Sequence, residues 1–173
     1  MRRRFEQWAR EYQHRIYSYA AYCTGNEAEA QDVTQEVLLK LWRNIDRVDD
    51  AGVWPWLLRV TRNASIDVLR KRNAYRNVVQ EDAEGNATDG MPSLAPSPHE
   101  AVEDSDFQVH LRRALATLAE PYRSIVVLRE IQDFKYEEIS SALELPLNTV
   151  KVYLHRGRRK LREALKEFVE REP

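Results

Sequence analysis

The sequence predicts an all-α protein: two small helical domains joined by a flexible acidic linker, the second domain ending in a helix-turn-helix. Three observations carry this. Apolar residues recur at steps of three and four in both halves of the chain, the spacing of one helix face. Charge is segmented: residues 1–77 hold 14 basic and 10 acidic side chains, residues 78–110 none and 8, residues 111–173 13 and 10. Blocks of +4, −8 and +3 thus underlie a net charge of only −1. The acidic block also holds Gly85, Gly90, Pro92, Pro96 and Pro98, and few apolar residues to offset the entropy of ordering it. The predicted divisions are a first domain over 1–77, a linker over 78–104 and a second domain over 105–173, a size that suits two small domains.

The first helix follows from Phe5, Trp8, Tyr12, Ile16, Tyr19 and Cys23, a single stripe ended by Gly25-Asn26. Cys23 on that stripe reads as a small buried hydrophobe. A second helix runs from about Glu27 to Asn44, with Val33, Val37, Leu38, Leu41 and Trp42 as its apolar side. Its acidic first turn and basic last turn agree with the helix dipole. Ile45–Val53 is polar and reads as a loop. Trp54-Pro55-Trp56 opens a third helix, with Pro55 in the first turn where its missing N–H costs nothing. That helix is expected to reach about Arg72, with Trp56, Leu57, Val60, Ala64, Ile66 and Leu69 apolar. Its arginines, its Asn63 and the aromatics at its start suit single-stranded DNA: bases stack on rings, Asn reads base edges and Arg holds phosphates.

In the second domain, Leu111, Ala114, Leu115 and Leu118 mark one helix, and Pro121 starts another with Tyr122, Ile125, Val126 and Leu128 apolar. A third covers Tyr136–Leu143. After the break Glu144-Leu145-Pro146-Leu147-Asn148, a fourth helix buries Val150, Leu154, Gly157, Leu161 and Leu165, and Asn148 or Thr149 is expected to cap it. Its other faces carry six basic residues and no acid between 151 and 162. Two short helices and a tight turn before such a helix read as a helix-turn-helix, whose second helix enters the major groove.

Several classes are excluded. No run approaches the roughly 18 apolar residues of a membrane span, so no membrane insertion is expected. Met1-Arg2-Arg3-Arg4-Phe5 has charge but no apolar segment after it, unlike a secretory signal. A single cysteine and four scattered histidines offer no internal disulfide and no metal-ligand cluster; they suit a reducing cytoplasm and predict no cofactor. Asp49-Asp50 lacks a third ligand, and no nucleophile–base pair is apparent, so an enzyme acting on nucleic acid is disfavoured. A helical adaptor is disfavoured by the basic fourth helix. A stand-alone helix-turn-helix regulator remains the alternative, although it needs no aromatic, Asn-bearing helix before the linker.

The residues resemble the extracytoplasmic-function sigma factors of bacterial RNA polymerase over nearly the whole chain. Glu29–Arg43 is similar to that family's core-binding segment, Trp56–Asn63 to its promoter-melting helix, and Leu118–Arg123 with Tyr136–Ile139 to the approach to its helix-turn-helix. Pro146–Arg159 is similar to its recognition helix. The resemblance implies roles. Asp32, Gln35, Glu36 and Leu39 would meet the clamp helices of the polymerase's largest subunit, and the second domain would meet the flap. The loop around Arg47–Gly52 plus Asn63 would hold a base flipped from the −10 element. Arg59, Arg62, Arg70 and Arg72 would hold the DNA backbone there, and Arg47 and Trp56 would belong to the same −10-binding set. Thr149, Lys151, Val152, His155, Arg156, Arg158 and Arg159 would face the −35 element, where Lys151 and Arg156 can donate to guanine and Val152 can meet a thymine methyl. The acidic linker would pass through the polymerase's RNA-exit region, its carboxylates standing in for nucleic-acid charge. The chain stops shortly after the recognition helix, so signal input is expected from an anti-sigma protein. One departure is the Glu144-Leu145-Pro146 turn, which lacks the usual glycine. A non-glycine residue at positive φ costs about 1 kcal/mol, which predicts a turn built another way.

Overall fold

The structure, a computed structural model, describes residues 2–81 and 106–170, with side chains over 2–75 and 107–166. Every regular element among the described residues is helical: α1 Arg2–Thr24, α2 Glu27–Asn44, α3 Val53–Glu81, α4 Asp106–Thr117, α5 Tyr122–Val126, α6 Tyr136–Leu143 and α7 Leu147–Glu170. From residue 82 to 104, the expected linker lies outside the described residues.

Helices α1–α3 form the first domain around Ile16, Ala20, Val33, Val37, Leu41, Ile45 and Leu57. The α1–α2 corner is closed by local bonds. Gly25 takes φ 67°, which costs glycine nothing. The Asn26 side chain caps α2 by accepting from the Glu29 N–H at 2.9 Å. The segment before α3 is better anchored than its polarity predicts: Ile45, Val48 and Val53 are buried, and Arg4 donates to the Val48 carbonyl at 2.7 Å. Trp42 departs from the expected apolar side of α2; it is 43% exposed, edge-on to Phe5. α3 also runs past Arg72 to Glu81, four residues into the span assigned to the linker. No glycine or proline interrupts the chain there until Gly85, so nothing local stops the helix.

Helices α4–α7 pack around Leu115, Ile125, Val126, Leu128, Ile139, Val150 and Leu154. α5 continues as a π-helical turn over Val127–Ile131, where the Gln132 N–H reaches back to the Val127 carbonyl. Gly157 lets α7 approach α5: a Cβ at that position would sit 2.6 Å from Val126 Cγ2. The turn before α7 corrects two expectations. It is built in the usual way after all, with Glu144 itself left-handed at φ 55°. The Leu145 N–H bonds the Ser140 carbonyl and the Glu144 N–H bonds the Ser141 carbonyl, a Schellman closure that compensates the strain. Asn148 and Thr149 do not precede α7 as caps. They lie inside its first turn, because the Pro146 carbonyl already accepts from the Val150 N–H at 3.0 Å.

The two domains also share a core. Tyr19 and Cys23 of α1 and Leu58 of α3 are buried in the same cluster as Ile125, Phe134 and Leu154. The α1 stripe therefore serves two cores, Trp8 and Ile16 facing the first and Tyr19 and Cys23 the second.

Candidate nucleic-acid interface

Burying Val150, Leu154 and Gly157 turns the rest of α7 to solvent. Lys151, Val152, His155 and Arg156 are all exposed, and Lys151, His155 and Arg156 have no ion-pair partner among the described residues. Thr149 is half-buried. Arg158 is exposed but tied to Glu130 at 2.7 Å, and Arg159 lies 3.9 Å from Glu163. The sequence-predicted groove residues thus lie on one helix surface, with the Lys151 and Arg156 cations and the His155 ring open to solvent.

A second basic surface runs along α3 and the loop before it. Arg47, Asn63 and Arg70 are exposed, and Trp56 is half-buried. Asp49 accepts from the Gly52 N–H at 2.6 Å, which shapes the loop. Arg47, Asp49, Gly52, Trp56 and Arg59 line a cleft of about 440 Å³. Its opposite wall comes from the second domain, as Ser141, Ala142 and Glu144. The arginines here are engaged within the protein. Arg59 meets Glu144 at 3.3 Å, Arg62 meets Glu120 at 3.8 Å, and Arg70 meets Asp67 at 2.9 Å. Arg72 donates to the Thr24 carbonyl and to Glu29 at 3.0 Å, fastening α3 to the α1–α2 corner. Burial pushes the Glu29 carboxyl up from its ordinary value, against the pull of Arg72. Arg72 thus has a structural occupation that the basic pattern of α3 did not reveal.

The third surface is on α2. Asp32, Gln35, Glu36 and Leu39 are exposed on one face, Leu39 at 57%. Glu36 is paired with Lys40 at 2.6 Å. An exposed leucine and a neighbouring exposed Trp42, ringed by acids and an amide, suit a partner helix carrying basic residues.

Sequence reasoning missed the residues that join the domains. Arg123 is buried and spends its guanidinium on three carbonyls, those of Leu115, Ala116 and Cys23. Tyr19 donates to the Ser124 hydroxyl at 2.9 Å, and Ser124 donates to Glu120 at 2.6 Å. Burial holds the Tyr19 phenol well above its usual range and pushes the Cys23 thiol up to about 12. A lone Arg in the sequence carries no signal of such a role. Tyr19 and Cys23 were visible only as part of a helix stripe.

Two helical domains, one presenting an open basic recognition helix and the other a basic helix beside a loop-walled cleft, define a bipartite helical nucleic-acid-binding protein. Known proteins sharpen this. Residues 8–75 match sigma-70 region 2 and residues 109–161 match sigma-70 region 4. The ECF RNA polymerase sigma factor SigW of Bacillus subtilis is 31% identical over 164 residues, covering 91% of this chain and 86% of that protein. SigE of Mycolicibacterium smegmatis is 33% identical over 162 residues, covering 93% of this chain; the match spans 61% of that longer relative. The chain belongs to the ECF sigma factor family. Its fold is also that of the sigma factor RpoE of Bartonella quintana, solved with the anti-sigma factor NepR, with a TM-score of 0.68, 24% identity and coverage of 94% of this chain and 96% of that one. CnrH, solved with the cytosolic domain of CnrY, gives the same TM-score at 22% identity, covering 96% of this chain and 90% of that one. No helix among the described residues is long and apolar enough to cross a membrane.

Proposed function

We propose that this chain binds core RNA polymerase, directs it to promoters with −10 and −35 elements, and helps open the −10 DNA, acting in the cytoplasm under an anti-sigma partner. The polymerase supplies the chemistry. The observation that carries the reading is the α7 face, where exposed Lys151, His155 and Arg156 have no ion-pair partner among the described residues, on a helix of the kind that a helix-turn-helix presents to the major groove. The exposed Asn63 and the cleft of Arg47, Trp56 and Arg59 support capture of a flipped base. The α2 face of Asp32, Gln35, Glu36 and Leu39 supports docking on the clamp helices. Relatives of this chain solved with anti-sigma factors support a regulator of that kind.

Each small domain makes few phosphate contacts, so duplex binding by the isolated chain is weak and salt-dependent. Tethering both domains to one polymerase raises their effective concentration at the promoter. The test is in vitro transcription with core polymerase and sheared genomic DNA from the source organism, mapping RNA 5′ ends. New starts sharing two upstream boxes support the reading. DNA binding without new starts replaces it with a stand-alone regulator. Asn63→Ala is expected to keep −35 binding and lose promoter opening, read by permanganate reactivity of unpaired thymines; opening at the wild-type level removes Asn63 from the site.

A further inference from the structure

We propose that Arg4, in the first turn of α1, is a positioning residue for base capture: its guanidinium fastens the chain between α2 and α3 so that Arg47 and Asp49 stand as a wall of the cleft. The proposal rests on the reading of that cleft as the seat of a flipped −10 base and names the group that shapes it.

The run Arg2-Arg3-Arg4 is charge without a role in the sequence, and the structure separates its members. Arg2 and Arg3 are exposed, and Arg2 pairs with Glu6 of its own helix at 2.9 Å. Arg4 is half-buried and reaches the loop before α3. Its Nη2 donates to the Val48 carbonyl at 2.7 Å and its Nη1 to the Ile45 carbonyl at 3.4 Å. Its Nε lies 3.7 Å from Asp50, and the guanidinium rests 4.3 Å from the centre of the Trp8 ring. Trp8 is buried in the first domain's core, so the loop is fastened to that core through the ring.

The setting of each contact decides its weight. The Asp50 side chain is 84% exposed, and an ion pair of that kind contributes little. The carbonyls are different. Ile45 is the C-cap of α2, where a helix leaves carbonyls without an N–H and favours a cation. Val48 is buried, while its neighbours Arg47 and Asp49 are exposed and line the cleft. A grip on residue 48 therefore fixes the two residues that face the ligand. Local bonds shape the ends of the loop: the Arg47 N–H bonds the Asn44 carbonyl at 2.9 Å, and the Trp56 N–H bonds the Gly52 carbonyl at 3.1 Å. Arg4 ties its middle to α1. A guanidinium suits this because its fork donates to two carbonyls at once, whereas an ammonium is a point donor.

The test uses holoenzyme assembled from the full-length chain and core polymerase. The probes are single-stranded oligonucleotides carrying the −10 sequence that the mapped starts define, with one base changed at a time. The ratio of affinities for matched and changed strands does not depend on how much of the chain is folded, so a loss of stability alone leaves it unmoved. Arg4→Ala is expected to lower this ratio about tenfold at the one position whose base enters the cleft, the effect of losing a charge-assisted hydrogen bond, and to leave the other positions at the wild-type level. Arg4→Lys keeps the charge over Trp8 and one carbonyl, and should lower the ratio about threefold. It also keeps the test in hand if Arg4→Ala fails to fold. Arg2→Ala removes a charge from the same turn without touching the loop and should match the wild type. Full discrimination in both Arg4 variants overturns the proposal, and so does an equal loss at every position. Asn63→Ala is measured alongside. If it loses discrimination at one position while Arg4→Ala keeps it, the −10 reading stands and the role of Arg4 falls. If neither variant loses it, the cleft is not the seat of the base and both readings fall.

Discussion

Helices α3 and α7 are both basic, yet their cations are in different states. On α7, the cations Lys151 and Arg156, with His155 beside them, face solvent with no ion-pair partner among the described residues. On α3, Arg59, Arg62, Arg70 and Arg72 each have an acidic partner within the chain, and two of those partners belong to the other domain. Composition does not distinguish these helices; only the fold shows which charges are spoken for. An open cation is available to DNA at once, whereas a paired one must exchange a carboxylate for a phosphate. α7 thus offers open basic side chains in the free chain, whereas the arginines of α3 are taken up by carboxylates of the same chain.

The largest way to break the comparison is to remove the tie between the domains. Arg123→Ala leaves three carbonyls without their donor in a buried site and is expected to cost about 3 kcal/mol or more in a urea melt. Because two of those carbonyls lie in α4 and one in α1, the variant should also speed Cys23 alkylation. A loss below about 1 kcal/mol would mean that water replaces the guanidinium, in keeping with a surface arginine. Next in size is Gly157→Ala. Its new Cβ would lie 2.6 Å from Val126 Cγ2, so α7 must move off α5, at a cost of about 2 kcal/mol. Duplex binding should fall although residue 157 touches no DNA. Unchanged stability would show that Val126 can yield without cost.

What was legible in the sequence follows from what kind of force built each part. Helix existence and order came through because burial imposes a 3.6-residue period, and α2 and α6 start and stop as their patterns predict. The exposure of Lys151, Val152, His155 and Arg156 came through for the same reason: once Val150, Leu154 and Gly157 are buried, geometry dictates what remains outside. The α1 stripe was read correctly as buried and incompletely as one core, since periodicity says that a face is covered and not by what. Arg72 was assigned to DNA because its charge is visible and its acceptors, the Thr24 carbonyl and Glu29, are brought to it only by the tertiary fold. The turn at Glu144 was misjudged because about 1 kcal/mol of backbone strain is small beside a Schellman closure and a side chain with a partner.

The comparison is sharpened by substitutions on α7 alone. Lys151→Ala and Arg156→Ala are each expected to cost about 1–3 kcal/mol of −35 discrimination if they donate to guanine, and to leave single-strand binding by α3 unchanged. Competition binding with duplexes altered one base pair at a time separates the cases. A uniform loss across all sequences, with a lower salt slope, would move either residue from base reading to phosphate holding.

The smallest expected effect is confined to alkaline pH and reports on the shared core. The Cys23 thiol ordinarily ionises near 9.0, and burial, with the Glu120 carboxylate nearby, pushes it up to about 12 against the opposing hydrogen bond with Tyr19. At neutral pH it is protonated in both folded and unfolded chains and contributes no pH dependence. Above about 9 the unfolded chain releases this proton and the folded chain does not, so stability falls as pH rises, by at most about 1.4 kcal/mol per unit. Between pH 9 and 10 the wild type should lose about 1 kcal/mol more than Cys23→Ala, measured as the difference of their urea midpoints; beyond that Tyr19, whose phenol burial also raises, adds its own slope. If the two slopes coincide, the thiol meets water in the native state, and the contact between α1 and the second domain is open for much of the time.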